Sequence, residues 1–324
     1  MGGTAMARPL GEATREAYGK ALAELGRENP NIVVLDGDLS KSTMTKYFAQ
    51  EFPDRFFNVG IAEANMVGIA AGLAASGKIA FASSFACFVM CKGLDQLRLA
   101  VAYSGNNVKI VGTHGGISIG EDGVSQMGHE DIGLALSLPG FVVMVPADGA
   151  ETRAAVRAAA EHVGPVYIRV GRPKAPIVYE NGCPDFRIGK AITLREGRDV
   201  TLIANGLMVA AALDAAEQLE QQGISARVLD MHTVRPLDEE AVEKAARETR
   251  AIVVAEEHLV YTGLGSQVAM AVAKRHPVPM RFIGLTDYAE SGAPEALMRK
   301  YGLTADDIAR EAIDLVNVRQ EAVL

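Results

Sequence analysis

Short apolar runs alternate with longer helical patterns along almost the entire chain of 324 residues. The run Ile32-Val33-Val34-Leu35 stops at a polar turn and Val108-Lys109-Ile110-Val111 stops at a Gly-rich loop, so each predicts a buried strand. Residues 61–76 are rich in Gly and Ala and predict a helix that can approach another element closely. Strands that alternate with helices in this way predict parallel sheets covered by helices on both faces. The sequence therefore indicates an α/β protein.

The alternation is interrupted once, near the middle of the chain. Residues 171–189 contain three prolines and several polar residues, which predicts a linker. Before it, the pattern predicts strands at 32–35, 79–82, 108–111, 142–145 and 166–168 and helices at 9–27, 61–76, 86–103 and 149–162. After it, the pattern predicts strands at 200–204, 226–230, 251–255 and 280–284, helices at 207–222, 238–247 and 263–275, and two further helices. We expect two three-layer domains, 8–178 and 190–324, each with a mostly parallel sheet and helices on both faces.

The composition argues against several classes of function. The net charge of −8 leaves no broad basic surface for nucleic acid. No apolar run reaches the roughly 18 residues that a membrane-spanning helix needs, and the first residues lack the apolar core of a signal peptide. A cytoplasmic protein without a membrane partner is the expectation. Three cysteines do not form a disulfide framework, and we expect Cys87 and Cys91 to be small core residues.

Polar residues collect where three predicted strands end. Asp36-Gly37-Asp38 follows one strand with Ser42 close behind, the loop 113–129 follows another, and Arg169 and Arg172 follow the last strand of the first group. Ligands bind at the carboxyl ends of strands in open α/β sheets, so we expect a ligand site in the first domain. Placement alone does not identify the ligand.

Glu63 opens a helix that is otherwise almost entirely apolar. A carboxylate in the first turn interacts favourably with the helix dipole, and taken alone this would account for the residue. The wider pattern favours a second role. The segments GIAEANMVGIAAGLA, SSFACF and THGGISIGEDG resemble the pyrimidine-binding domain of transketolases, and DMHTVRPLD and EEH followed by GLGS resemble the transketolase C-terminal domain. The resemblance extends from about residue 8 to residue 320.

The resemblance implies thiamine diphosphate as the cofactor. Glu63 corresponds to the glutamate that bonds ring nitrogen N1′ of the aminopyrimidine, where a carboxyl promotes the tautomer that removes the thiazolium proton. Phe85 and Phe88 correspond to an aromatic pair that packs on the pyrimidine ring, although ordinary helix core is an alternative for Phe88. Asp38 corresponds to a carboxylate near the same pocket.

The resemblance also implies sugar-binding residues. Arg15, Ser42 and Arg172 correspond to groups that bind the phosphate of the sugar, since an Arg can place two donors on one anion. A solvated helix face is the alternative for Arg15. His114 and Asp122 correspond to residues that contact the sugar hydroxyls and assist proton transfer, so His114 joins Glu63 as a predicted catalytic residue.

One position departs from the family pattern. Transketolases usually have Thr-His-Gln after the Gly-Glu-Asp-Gly run, whereas this chain has Ser-Gln-Met, which places Gln126 where a His is expected. A neutral amide can hydrogen-bond a hydroxyl but cannot transfer a proton. His129, three residues further on, is the candidate to replace the missing His. The departure puts the ordinary pentose-phosphate substrates in doubt.

The chain lacks the family's motif for the diphosphate and its metal, a Gly-Asp-Gly followed some 25–30 residues later by Asn. The resemblance therefore implies that Mg²⁺ or Ca²⁺ is held mainly by a partner similar to the N-terminal half of a transketolase. The expected assembly is an α2β2 heterotetramer in which each active site lies at a chain boundary. Sugar phosphates are the expected substrates, and ketol transfer is the expected reaction.

Four alternatives stay open at this point. The β subunit of a 2-oxo acid dehydrogenase E1 has similar length and the same glutamate, but the Gly-Glu-Asp-Gly loop favours transketolase. A deoxyxylulose phosphate synthase has a similar loop. An inactive regulatory partner would have kept the fold without needing Glu63, Phe85 and His114. A nucleotide-binding protein is disfavoured because no Gly-rich phosphate loop follows the first predicted strand.

Overall fold

The structure, a computed structural model, describes residues 8–321, with side chains described through residue 317. The strands up to the middle of the chain are β1 Leu10–Ala13, β2 Ile32–Asp36, β3 Phe56–Asn58, β4 Ile79–Phe85, β5 Val108–Thr113, β6 Val142–Met144, β7 Val166–Arg169 and β8 Lys174–Pro176. The later strands are β9 Ile192–Arg195, β10 Val200–Ala204, β11 Ala226–Asp230, β12 Thr233–Arg235, β13 Ile252–Leu259 and β14 Met280–Leu285.

Helices follow most of the strands. Those of the first half are α1 Thr14–Glu28, α2 Ser40–Thr43, α3 Lys46–Glu51, α4 Glu63–Ala75, α5 Ala86–Lys92, α6 Leu94–Gln96, a π-helical segment Leu97–Tyr103, α7 Asp131–Ser137 and α8 Gly149–Glu161, with a 3₁₀ turn at Pro53–Arg55. Those of the second half are α9 Met208–Gln221, α10 Glu239–Thr249, α11 Leu264–Arg275, α12 Pro294–Lys300 and α13 Ala305–Glu321. No helix among residues 8–321 is both long and apolar enough to cross a membrane.

The first sheet has the strand order β12-β6-β7-β5-β4-β2-β3. All neighbours in it are parallel except β12, which pairs antiparallel with β6. The central strands are buried along their length, as expected when helices cover both faces of a parallel sheet. Strand β12 comes from the second half of the chain, so the second half contributes an edge strand to the first sheet.

The second sheet has the order β14-β13-β10-β11-β9, with only β9 antiparallel to its neighbour. A hydrophobic core runs from one sheet to the other: Val143 and Tyr167 on the first sheet belong to the same buried cluster as Ile203 and Val254 on the second. The predicted fold class, two α/β units with mostly parallel sheets and helices on both faces, is confirmed.

Several local predictions are wrong. Residues 10–13 form a strand that pairs with β8, so the first helix begins only at Thr14, because tertiary pairing overrides a weak local helical pattern. Strand β8 lies inside the segment predicted as a linker. The helix predicted over 86–103 is interrupted at Gly93, a residue that is unfavourable in a helix interior. Cys91 is exposed, because α5 turns it to the surface while Val89 and Met90 face the core.

Candidate active site

Three neighbouring strands of the first sheet end at one edge. Strands β5, β4 and β2 lie side by side and parallel, so their final residues Thr113, Phe85 and Asp36 come close together there. Helix α4 begins with Glu63 at the same edge, where Ser84 at the end of β4 reaches it. This geometry places residues from distant parts of the sequence around one point, as expected for a site in an open α/β sheet.

Glu63 is a buried carboxyl group at the start of an apolar helix. The Ser84 hydroxyl donates to its Oε1 over 3.2 Å. Its Oε2 lies 3.6 Å from the Lys92 ammonium, which is beyond hydrogen-bond distance, and the Lys92 side chain is about half exposed. Oε2 of this buried residue therefore has an ion pair with Lys92 and no hydrogen bond, so it can accept from a further partner.

Three rings are stacked beside this carboxyl group. The Phe85 and Phe88 rings are nearly parallel, with centroids 5.3 Å apart and an angle of 12° between their planes. The His114 ring stacks on Phe85 at a centroid distance of 3.8 Å. Phe85 is buried, whereas Phe88 is partly exposed and has the Lys92 ammonium 4.4 Å above its ring. Both predicted aromatic residues therefore lie at the site, and Phe88 is not simply helix core.

His114 is held in one orientation by hydrogen bonds at both ring nitrogens. Arg15 Nη1 donates to Nε2 over 3.1 Å, and Nδ1 lies 2.8 Å from the Thr113 hydroxyl. The φ angle of His114 is 58°, a left-handed conformation that is uncommon for a residue with a side chain and tends to occur at functional sites. Burial, reinforced by the positive charges of Arg15 and Arg172, lowers the pKa of His114 to about 3. The imidazole is therefore neutral at physiological pH.

Two guanidinium groups lie near His114. Arg15 Nη1 also donates to the backbone carbonyl of Ser42 over 2.8 Å, and burial and the nearby Arg172 lower the pKa of Arg15. Arg172 Nη1 donates to the carbonyl of Ile119 over 2.6 Å and lies 3.6 Å from a carboxylate oxygen of Asp122. The structure thus brings Arg15, Ser42, His114, Asp122 and Arg172 together. The two guanidinium groups can donate to an anion, and the carboxylates of Glu121 and Asp122, 3.8 and 3.6 Å from Arg172, offset part of its charge.

Three predicted site residues are less closely joined to this group. Asp38 lies at the same sheet edge but is exposed, and its carboxylate accepts from Asn58 over 2.8 Å. Gln126 Oε1 accepts from the adjacent Ser125 hydroxyl. His129 is fully buried, its Nε2 accepts from the backbone N–H of Ala289, and its ring meets Tyr288 edge-on. The structure therefore places His129 against the second half of the chain and not with the other predicted site residues.

Sequence reasoning missed three residues that shape the site. Ser84 and Lys92 both face Glu63, and Glu257 accepts from the backbone N–H of Ser118 in the loop 113–129. Ser84 immediately precedes Phe85 within a motif already noted, so its place at the strand end is a usable signal. Glu257 lies 139 positions from Ser118, and nothing in the local pattern links the two.

The described residues contain no group of three or more His, Cys, Asp or Glu side chains arranged to hold a metal ion. Asp36, the buried acid that ends β2, is already engaged: its carboxylate accepts from the Thr43 and Thr45 hydroxyls and from the backbone N–H of Leu39. Burial raises the pKa of Asp36 despite these hydrogen bonds. Its role in the described structure is to hold the turn after β2.

Fold and site together define an α/β protein with two mostly parallel sheets and a candidate ligand site at one edge of the first sheet. Residues 11–177 match the family model of the transketolase pyrimidine binding domain, and residues 189–308 match that of the transketolase C-terminal domain. The chain therefore belongs to the transketolase family and corresponds to the C-terminal half of a split transketolase.

Similar proteins support this assignment. The chain is 47% identical to the 6-deoxy-6-sulfo-D-fructose transketolase subunit of Clostridium sp. (strain MSTE9), with 92% of each chain covered. It is 41% identical to a subunit of the apulose-4-phosphate transketolase of Phocaeicola vulgatus, covering 94% of this chain and 97% of that one. A solved structure described as a split gene transketolase, inactive beta4 tetramer, matches with a TM-score of 0.88 and 50% identity, covering 95% of this chain and 99% of its own. These relatives do not favour the dehydrogenase or deoxyxylulose phosphate synthase alternatives.

Proposed function

We propose that this chain is the C-terminal subunit of a thiamine diphosphate-dependent transketolase, which transfers a two-carbon ketol unit from a ketose to an aldose. The observation that carries the proposal is the buried Glu63 carboxyl group, whose Oε2 makes no hydrogen bond, at the same sheet edge as the stacked rings of Phe85 and His114. A buried acid next to flat aromatic rings suits a planar heterocycle with a basic ring nitrogen.

The residues present fit the pyrimidine end of the cofactor. Glu63 would hold N1′ of the ring, and Phe85 and Phe88 would pack against it, with Asp38 at the rim of the same edge. The cofactor supplies a carbon nucleophile when bound, and the protein controls the protonation of its ring. Burial keeps water from the Glu63 carboxyl, which favours direct proton exchange with a bonded nitrogen.

The substrate is proposed to be a sugar with an anionic end. Arg15 and Arg172 offer planar donor groups that suit a phosphate or a sulfonate equally, with Ser42 beside them. One relative is named for a sulfonated sugar and another for a phosphorylated one, which matches this shared chemistry. His114, Asp122 and Gln126 would contact the sugar hydroxyls. Both ring nitrogens of neutral His114 are engaged in the structure, Nδ1–H by Thr113 and Nε2 by Arg15, so Nε2 would accept from a sugar hydroxyl when Arg15 turns to the anion.

The second half of the active site is proposed to come from an N-terminal transketolase-like subunit. That partner would hold the diphosphate together with Mg²⁺ or Ca²⁺, since magnesium is bound by carboxylates and phosphate oxygens and this chain's described residues show no such cluster. An α2β2 heterotetramer would bring the two half-sites together. The inactive tetramer of β chains formed by a relative is consistent with a chain that carries half a site.

Reconstitution tests the proposal directly. The chain is mixed with its candidate partner, thiamine diphosphate and Mg²⁺, and ketol transfer is followed with sulfonated and phosphorylated ketoses as donors. We expect transfer only when both chains are present. Release of carbon dioxide from pyruvate without ketol transfer would point to a dehydrogenase or synthase instead. Absence of any transfer with every ketose tested would favour an inactive regulatory partner.

A further inference from the structure

The loop that carries His114 is fixed in place from the second half of the chain. Glu257, a buried residue of β13, accepts a hydrogen bond from the backbone N–H of Ser118 over 2.6 Å. The backbone of Ile117 interacts with the same carboxylate. Gly116 packs directly on it: a Cβ at this glycine, whose φ is +80°, would lie 2.2 Å from the Glu257 carboxyl. The carboxylate therefore fills the space behind three consecutive loop residues.

Arg169 connects this contact to the rest of the first sheet. Its guanidinium is buried and donates to the carbonyl oxygens of Glu257 and Gly128, 2.7 and 2.6 Å away, and its Nε lies 3.1 Å from Asp131. Gly128 in turn accepts from the N–H of Gly116 at 2.9 Å, which closes the base of the loop. The charge of Arg169 favours the ionised form of Glu257 and opposes the effect of burial, which raises the pKa of this carboxyl. The loop is thus held by a buried, charged network.

Residues 116–118, the segment that Glu257 contacts, are flanked on both sides by residues connected to the proposed substrate site. His114 lies two residues before Gly116, and the carbonyl of Ile119, one residue after Ser118, accepts from Arg172 over 2.6 Å. Glu63 and Phe85 instead belong to α4 and β4, outside this segment. A shift of the loop would therefore displace the sugar-binding groups, while Glu63 and Phe85 keep their backbone positions and Phe85 loses only the His114 ring stacked on it.

We infer that Glu257 is a positioning residue: from the second sheet it fixes the loop 114–119 so that His114 and Arg172 are held ready for the sugar substrate. The inference rests on the proposed transketolase function and extends it, because it gives the C-terminal domain a defined part in substrate recognition. Glu257 touches the loop and not the proposed positions of the substrate. It acts through the backbone of residues 116–118.

The chain offers a closely matched control in the neighbouring residue. Glu256 lies on the same strand, is also buried, and accepts from two backbone N–H groups, those of Leu264 and Gly265 at the start of α11, each over 2.7 Å. These hydrogen bonds stay within the second half of the chain, and Glu256 acts on Arg169 and Asp131 only through its charge. Removal of either carboxylate leaves buried N–H groups unpaired, so both substitutions destabilise the protein by a similar mechanism. Only the Glu257 substitution removes a hydrogen bond to the loop, so we expect it alone to release residues 116–118.

The kinetic test compares Glu257→Ala with Glu256→Ala in the complex reconstituted with the partner. For Glu257→Ala we expect the KM of the anionic sugar to rise by about tenfold or more, with an unchanged Kd for thiamine diphosphate. For Glu256→Ala we expect an unchanged sugar KM. An unchanged KM in Glu257→Ala, or an equal rise in both variants, would overturn the inference. Where an alanine variant does not fold, the Glu257→Met and Glu256→Met pair replaces it with the same expected contrast, since a thioether keeps the length of the side chain but is only a weak acceptor.

A second measurement does not depend on turnover. Amide hydrogen exchange of the full chain without its partner reports whether the loop is held. We expect exchange of residues 114–119 to accelerate in Glu257→Ala and to stay at the native rate in Glu256→Ala, where only the start of α11 should exchange faster. Equal exchange of residues 114–119 in the unaltered chain, Glu257→Ala and Glu256→Ala would overturn the inference. If the complex shows no ketol transfer, the proposed function fails while the exchange result still decides whether Glu257 positions the loop.

Discussion

The ring of His114 lies flat on the ring of Phe85, with centroids 3.8 Å apart and planes inclined by 24°. The two residues end neighbouring parallel strands or follow them directly, so the sheet itself sets their separation. Because Arg15 donates to Nε2, the proton of the neutral ring is assigned to Nδ1, which then donates to the Thr113 hydroxyl. A single side chain thus joins the aromatic stack to the cationic part of the site.

The protonation of His114 gives the first prediction. Burial and two nearby guanidinium groups hold its pKa at about 3, so the ring should stay neutral from pH 8 down to pH 5. We expect the NMR signals of isotope-labelled His114 to show no titration over this range, and any acid limb in kcat/KM to come from another group. In Arg15→Gln the midpoint of the His114 titration should move to higher pH, because one of the neighbouring positive charges is lost. A midpoint near 6.5 in the unaltered chain would contradict this account.

Substitution of Glu63 distinguishes a catalytic role of its carboxyl group from a purely structural one. In the reconstituted complex, Glu63→Gln should lower turnover by about 10²- to 10⁴-fold, because an amide keeps the shape but cannot exchange a proton with a ring nitrogen. Glu240→Gln, which changes a first-turn carboxylate of α10 in the second half of the chain, is the control. If Glu63 only favoured the helix dipole, both variants would show a small loss of thermal stability and near-normal turnover.

Arg172 tests the proposed recognition of an anion. We expect Arg172→Ala to raise the KM of a phosphorylated or sulfonated sugar by about 10- to 100-fold, since a charge-assisted hydrogen bond is lost. The KM of a neutral sugar of the same length should change little. Arg172→Lys keeps the charge but not the planar pair of donors. Its KM for the charged sugar should lie between the KM of the unaltered chain and that of Arg172→Ala. An equal loss with charged and neutral sugars would show that Arg172 acts on the loop through Ile119 and not on the substrate.

Much of the fold can be predicted because buried parallel strands leave a strong local signal. Strands such as β2 and β10 are mostly apolar and buried along their length, and the sequence pattern predicts them within one residue of their bounds. Strands β1, β3 and β12 have three or four residues each and gain their stability from pairing with distant segments. A short segment without a clear period gives no such signal, so β12 could not be assigned to the first sheet from the sequence.

The sequence indicates which residues belong to the candidate site, but it does not predict the contacts between them. The family resemblance indicates Glu63, Phe85 and His114, whereas the stacking of the last two depends on the register of β4 against β5. The contact of Glu257 with Ser118 depends on how the two sheets pack. His129 illustrates the limit most clearly: its position in the loop suggests a substrate group, but packing turns the ring towards Ala289.

A carboxyl pair between the two halves of the chain gives the last prediction. Asp230 at the end of β11 and Glu151 of α8 are both fully buried, and the Tyr179 hydroxyl donates to Asp230 Oδ2 over 2.7 Å. Glu151 Oε1 and Asp230 Oδ1 have no donor in the structure, and a proton shared between the two carboxyl groups would satisfy both atoms. Burial raises the pKa of Asp230 to about 7 and raises the pKa of Glu151 as well.

The raised pKa of Asp230 makes the free energy of unfolding depend on pH in a definite direction. The folded chain binds a proton that the unfolded chain has released above about pH 4, so this stabilisation is fully present below that pH and is lost as the pH rises through about 7. In Asp230→Asn the position no longer titrates, and the amide can still accept from Tyr179 and donate to Glu151. We therefore expect the Tm of Asp230→Asn minus the Tm of the unaltered chain to increase as the pH rises from about 5 to about 8. Thermal unfolding of both proteins across this range measures the difference, and a difference that stays constant with pH would show that Asp230 is not protonated in the folded chain.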